Sequence, residues 1–182
     1  MQSIYLIRHA QASGQEPDAE LTDLGLVQAE RLAELLADSA IEYIVSSPWK
    51  RAIHTAVPLA RTVMRHIHTD ERLQERVLST RHLDNWMDVL AHTYLDEDWA
   101  EEGGESSRIA TSRGMEVLKE LWGRSEQRAA VITHGNLLSL LIRTYDPSFG
   151  FEQWKMLSNP DVFVLERQGN GDVPMLRRCW NG

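Results

Sequence analysis

The chain has 182 residues, of which 42% are hydrophobic and 25% charged, and a formal net charge of −8; that length suits one soluble domain with a sizeable core, and the acidic balance disfavours nucleic acid, whose binding rests on neutralising phosphates. No basic segment precedes the short N-terminal apolar run, and no stretch approaches the ~18 apolar residues of a membrane span, so a cytoplasmic protein with neither signal peptide nor membrane partner is expected. A single cysteine, Cys179, excludes an internal disulfide and a cysteine-based zinc cluster, and reads as an inert buried thiol in a terminal strand.

In chain order, Ser3 to Ile7 predicts a buried strand. A helix capped by Thr22 follows from Asp23, with Leu26, Ala29, Leu32, Leu35 and Leu36 on its apolar face, ending at Ala37-Asp38-Ser39. Ile41 to Val45 predicts a second strand. Ser46-Ser47-Pro48 supplies cap and first-turn chemistry for a helix from Trp49 to about Met64, which Pro58 should kink. A short third strand is expected around Ile67. Ser79 to Gly104 shows no strand pattern and predicts a helical excursion, at about 79–104, over one edge of the sheet. Ser106 to about Trp122 predicts a helix with an apolar stripe of Ile109, Met115, Leu118 and Leu121. Ala129 to Ile132 predicts a strand, Gly135-Asn136 opens a helix through Arg143, and Asp161 to Glu166, Gln168-Gly169-Asn170-Gly171 and Met175 to Trp180 predict a hairpin. Strands alternating with helices indicate an α/β fold, a single-domain α/β/α sandwich over residues 1–182 with a mostly parallel mixed sheet and a final hairpin.

In open α/β sheets the ligand crevice lies beyond the carboxyl ends of the strands, so residues just after strands are able to meet. Three junctions fit. Arg8-His9 follows the first strand, Arg51 lies one turn into the helix after the second, and His134 follows Ala129 to Thr133. Two guanidiniums and two imidazoles suit phosphoryl transfer, in which the protein mainly positions the group and stabilises charge on its oxygens. His9 would attack while Arg8, Arg51 and His134 hold the phosphate. Amides near Gly135 and Asn136, at a helix N-terminus, would add donors. His9 would need its other ring nitrogen held by an acceptor, such as a backbone carbonyl. An alkoxide leaves poorly, so a general acid is also needed, and such proton transfer contributes roughly 100- to 10,000-fold. Glu75 in the charged run Asp70 to Arg76 is the candidate, with Glu71 nearby.

These residues resemble the histidine phosphatase superfamily, or phosphoglycerate mutase-like family, in its smaller phosphatase-type branch. Leu6-Ile7-Arg8-His9-Ala10 is similar to the family's LxRHG signature, and Leu21 to Ala29 to its LTxxGxxQA segment. Ser46 to Ala52 with Thr55-Ala56 is similar to SSPxxRAxxTA. Arg72-Leu73-Gln74-Glu75 is similar to the RLxE segment that contributes the acid, which selects Glu75 over Glu71. Gly104-Glu105-Ser106 with Arg113 resembles GESxxxxxxR, and Val131 to Gly135 resembles the second-histidine motif. The resemblance implies a phosphoglycerate mutase-like fold and a phosphomonoester hydrolase that phosphorylates His9 transiently. It further implies Arg8, Arg51 and His134 on the phosphoryl group, Glu75 as acid and then base, no metal or other cofactor, and a phosphorylated small molecule as partner, with oligomeric state left open.

Departures from the pattern raise alternatives. Ala10 replaces the usual glycine, and a methyl there costs about 1 to 2 kcal/mol if φ is positive. Gln11 to Gln15 replace the customary loop, in which Gln11 and Ser13, together with Asn136, would donate to substrate. Arg76 to Thr80 replace a glycine- and tryptophan-rich continuation. A phosphate- or phosphoprotein-binding module with little turnover is therefore the rival reading. A protein-phosphohistidine phosphatase and a mutase are rivals within the enzyme class, the second disfavoured by the missing long insertion and tail. Glu105 and Ser106 read equally well as helix-cap residues, Arg113 as a carboxylate's partner, and His66 and His68 fall short of a metal site. His82 and His92 read as ordinary surface histidines, and Trp86 and Trp99 either line the site or pack the excursion.

Overall fold

The computed structural model describes residues 1–169 and 173–180. Its strands are β1 (Ser3–Arg8), β2 (Tyr43–Ser46), β3 (Ile67–Thr69), β4 (Arg128–Thr133), β5 (Asp161–Glu166) and β6 (Met175–Trp180), in the sheet order β3-β2-β4-β1-β5-β6. β3, β2, β4 and β1 run parallel, while β5 and β6 add on antiparallel. Parallel neighbours require crossovers, here carried by α1 (Asp23–Leu36), α2 (Lys50–Val63), α3 (Trp86–Leu95) and α4 (Ser107–Trp122). α5 (Gly135–Tyr145) and the short α6 (Phe151–Lys155) lead from β4 to β5.

Side chains alternate across a strand, and the two faces of the sheet accordingly feed two cores. Ile4, Leu6, Ala129, Val131, Phe163 and Leu165 join the core under α3, α4 and α5. Ile7, Ile44, Ala130, Ile132 and Val162 join the core under α1 and α2. The result is the α/β/α sandwich with a mostly parallel mixed sheet and closing hairpin that the element order predicts. Asn170 and Gly171 of the predicted hairpin turn lie outside the described residues.

Thr22 caps α1 as predicted, its Oγ1 accepting from the Gly25 N–H at 3.0 Å. The buried face of α1 differs from the predicted leucine stripe: Gly25, Ala29, Leu32, Ala33 and Leu36 face inward, whereas Leu26 is 53% exposed and Leu35 is also exposed. The reason is packing against α2, whose own inward residues include Ala52, Ala56 and Ala60, so small side chains are selected on both helices. At Gly25 an added Cβ would lie 2.0 Å from the Gln11 carbonyl oxygen, a backbone atom unable to move independently. Gly25→Ala is expected to lower stability by about 1 to 3 kcal/mol, read as a lower urea midpoint at unchanged slope.

Other expectations are corrected in detail. The cap position of α2 is Trp49, whose N–H reaches Ser47 Oγ at 3.3 Å, and the helix continues through Pro58. On α4, Ser106 caps by accepting from the Ile109 N–H, but Ile109 itself is 59% exposed, and Ala110, Gly114 and Val117 join Leu118 and Leu121 in the core. The 79–104 excursion is helical only over α3. It packs toward α5 and α6 rather than over a sheet edge: the Tyr94 hydroxyl bonds Ser139, and Trp86 meets Trp154 edge-on at 6.2 Å.

Candidate active site

Strand adjacency assembles the site. β2, β4 and β1 are consecutive in the sheet, and their pairing extends one step past the strand ends: the His9 N–H donates to the Thr133 carbonyl at 3.0 Å, and that of Ser47 to the Ile132 carbonyl at 2.9 Å. Arg8 and His9, Ser47, and His134 therefore emerge side by side. Arg51 joins from the first turn of α2, slightly earlier than predicted, and is fully buried.

The His9 ring is fixed at both nitrogens. Nδ1 lies 2.7 Å from the Ala10 carbonyl oxygen, which can only accept, so Nδ1 carries the proton and Nε2 presents a lone pair. Arg51 Nε donates to that lone pair at 3.1 Å. Burial, and then the charges of Arg51 and Arg8, push the imidazole down to about 3 against the opposing pull of the Ala10 carbonyl, so the ring is neutral at physiological pH. Burial likewise holds His134 well below the usual histidine range, aided by His9 and Arg51. His134 Nε2 bonds Ser47 Oγ at 2.8 Å, and the two imidazole centroids stand 5.1 Å apart.

Both guanidiniums are anchored by carbonyls. Arg8 Nη1 donates to Leu157 and Ser158, and Arg51 Nη1 to Gln15 and Glu16. Burial lowers both pKa values, with the Glu75 charge opposing it; neither arginine has a carboxylate within ion-pair distance among the described residues. Three of the buried nitrogens without partners among the described residues belong to this cluster: Arg8 Nε, Arg51 Nη2 and His134 Nδ1. Unmet buried donors on the two guanidiniums are costly, and an anion with several acceptor oxygens satisfies them together. No cluster of three or more His, Cys, Asp or Glu side chains is placed to hold a metal ion among the described residues.

Ala10 does not take positive φ, so the cost tied to that conformation does not arise. Positive φ among the described non-glycine residues is confined to Ala40 and Met64. The Ala10 N–H donates to Thr55 Oγ1 at 2.9 Å, and that hydroxyl donates on to the Arg51 carbonyl, tying the loop after β1 to α2.

Glu75 sits at the start of α5, its Oε2 accepting from the Asn136 N–H and its Oε1 from the Leu137 and Arg76 N–H groups, all at 2.9 Å. This corrects the expectation that the Asn136 amide would serve an incoming phosphate, because the carboxylate already occupies the helix N-terminus. Gly135 has its own reason: an added Cβ would lie 3.0 Å from Arg8 Nε. Arg113 pairs with Glu105 as expected and also donates to the Arg72 and Gln74 carbonyls, bracing the segment that carries Glu75.

A cavity of about 560 Å³ opens beside Arg8, Glu75, Gly135 and Asn136. Neither Gln11 nor Ser13 reaches it. The Gln11 side chain accepts from Thr22 Oγ1, and Ser13 Oγ donates to the Glu20 carbonyl, because the loop after Ala10 folds back to bridge Ala12 to Leu21. Asn136 does line it, with Oδ1 buried and unpartnered and Nδ2 donating to the Tyr94 hydroxyl. Trp86 lines the cavity whereas Trp99 packs on His92, and His82 is a surface histidine, its side chain 89% exposed, at the cavity's rim.

Sequence reasoning passed over several neighbours. Arg76, buried beneath the cavity, was readable from its place beside Glu75. Asn159, whose Nδ2 donates to the His9 carbonyl at 2.8 Å, and Trp49, whose ring lies under the Arg51 guanidinium at 4.5 Å and against His134, had no periodic signal.

The chain is similar to several known phosphatases. A glucosyl-3-phosphoglycerate phosphatase of Mycobacterium tuberculosis (strain CDC 1551 / Oshkosh) is 32% identical over 146 residues, covering 68% of this chain; the match spans 63% of that relative, just under two thirds of its length. A solved mycobacterial glucosyl-3-phosphoglycerate phosphatase in complex with inorganic phosphate superposes with a TM-score of 0.79 at 26% identity, over 100% of this chain and 98% of that one. A phosphoserine phosphatase mutant from Entamoeba histolytica with phosphoserine shares the fold, with a TM-score of 0.74 at 22% identity over 97% and 95% of the two chains. The profile of the histidine phosphatase superfamily (branch 1) matches residues 4–178, and the chain belongs to that superfamily.

Proposed function

We propose that this chain is a phosphomonoester hydrolase that acts on a phosphorylated small molecule through a phosphohistidine at His9. The observation that carries the proposal is the locked His9 ring, with Nδ1–H on the Ala10 carbonyl and the Nε2 lone pair held by Arg51 Nε, in a cluster where Arg8, Arg51 and His134 each keep a buried nitrogen without a partner. A neutral, oriented imidazole nitrogen is a competent nucleophile. An arriving phosphoryl group would draw the Arg51 donors onto its oxygens and release Nε2, while Arg8 and His134 Nδ1–H take further oxygens. The Nε2–P bond forms as the ester P–O bond breaks, and Glu75 gives its proton to the departing oxygen. Water then attacks phosphorus, the N–P bond breaks, and the water's proton passes to Glu75. To donate, Glu75 has to carry a proton and yield some of its bonds with the α5 amides. The phosphatase names of the relatives support the same reading. The rival reading as a binding module loses its motive at Ala10, whose backbone is unstrained.

The test is to mix the protein with an aryl phosphate in excess chelator, quench rapidly, and map the phosphate by mass spectrometry. An acid-labile phosphoryl group on His9 is expected; its absence during turnover overturns the covalent route.

A further inference from the structure

The cavity beside Glu75 is where an ester's alcohol would sit, and its walls differ in character from the phosphate cradle. Leu78, Leu83, Leu90, Trp86 and Trp154 supply apolar surface. Trp86 remains 48% exposed, and Trp86 and Trp154 meet edge-on with their planes at 86°. Of the polar side chains around them, Ser79 and Arg76 are committed to other parts of the chain, while Arg81 and His82 stand at the solvent-exposed rim. Ser79 Oγ donates to the Glu102 carbonyl and accepts from the Arg81 N–H. Arg81 pairs with Glu102, and His82 lies 3.2 Å from Asp84. Arg76 gives four hydrogen bonds, two to the Glu105 carbonyl and one each to Thr93 and Ser107. Inside that exposed rim, recognition of a leaving group is left to Gln15, Asn136 Oδ1 and the apolar walls.

A polyol loses hydration on entering such a cavity without finding replacement partners. A flat ring gains from apolar burial and from two indoles. Resting on the hydrolase reading of the same site, we infer that the alcohol portion of the preferred substrate carries an aromatic or heteroaromatic ring, held between the 78–90 segment and α6.

The closing experiment separates binding from turnover. By calorimetry on the full chain, benzylphosphonate is expected to bind about tenfold or more tightly than 2,3-dihydroxypropylphosphonate. Benzyl phosphate should exceed glycerol 3-phosphate in kcat/KM by a similar factor, the two alcohols being of comparable basicity. Trp86→Ala, at a half-exposed position, should reduce both ratios about fivefold, and Trp154→Ala should do the same. Equal or reversed preference for the dihydroxypropyl compounds overturns the inference, as do ratios unmoved by Trp86→Ala. Preferential binding of benzylphosphonate with neither ester hydrolysed upholds the ring pocket and instead sinks the hydrolase reading.

Discussion

His9→Ala is expected to lower kcat/KM by about 10,000-fold or more, because it removes the atom that forms the bond to phosphorus and no other side chain occupies that place. His134 is the nearest alternative, yet its Nε2 is engaged by Ser47 and its ring is held 5.1 Å from that of His9. The substitution removes the bond from Arg51 Nε to the imidazole but leaves the backbone-carbonyl anchors of Arg8 and Arg51 Nη1 in place. Inorganic phosphate should therefore still bind the variant by calorimetry while initial rates on aryl phosphates vanish. A variant retaining a tenth of the parent rate would remove His9 as nucleophile.

Glu75→Gln is expected to slow esters of poor leaving groups by roughly 100- to 10,000-fold, and activated aryl esters far less. The amide can accept on one side only, so it gives up part of the triple N–H contact that the carboxylate makes with Arg76, Asn136 and Leu137. A loss of about 1 kcal/mol in stability should accompany the change, by analogy with removing a helix cap. Measuring benzyl phosphate against p-nitrophenyl phosphate separates the two consequences: a structural defect slows both alike, whereas loss of the acid slows the first selectively. Equal losses would move the acid role elsewhere.

The convergence of Arg8, His9, Arg51 and His134 was legible because short apolar runs stop just before Arg8-His9, before His134 and before the helix that carries Arg51, and the sheet rule states where strand ends point. Short-range conformation was less legible. Gln11 and Ser13 are suitable donors by type, but the antiparallel bridge from Ala12 to Leu21 turns them away from the cavity. α6 is too short to show a period. The inward face of α1 was misread because leucine outranks glycine and alanine in hydrophobicity, whereas close approach of two helices rewards small side chains. The Asn136 amide was assigned to phosphate because a helix N-terminus attracts any anion; that the anion is Glu75, sixty-one residues earlier, is a fact of tertiary structure.

The pairing of β1 with β4 acts as a ruler for the cradle. Arg8 stands opposite Thr133, so His9 and His134 occupy the same next step beyond two neighbouring strands. Their rings stand 5.1 Å apart, close to the lateral repeat of any β-sheet, about 4.8 Å. The separation of the two strand ends is thus set by backbone hydrogen bonding, and the Ala10 carbonyl and Ser47 hydroxyl then fix the rings upon it. A slip of register would alter that separation, and a one-residue slip would turn every side chain of β1 to the opposite core.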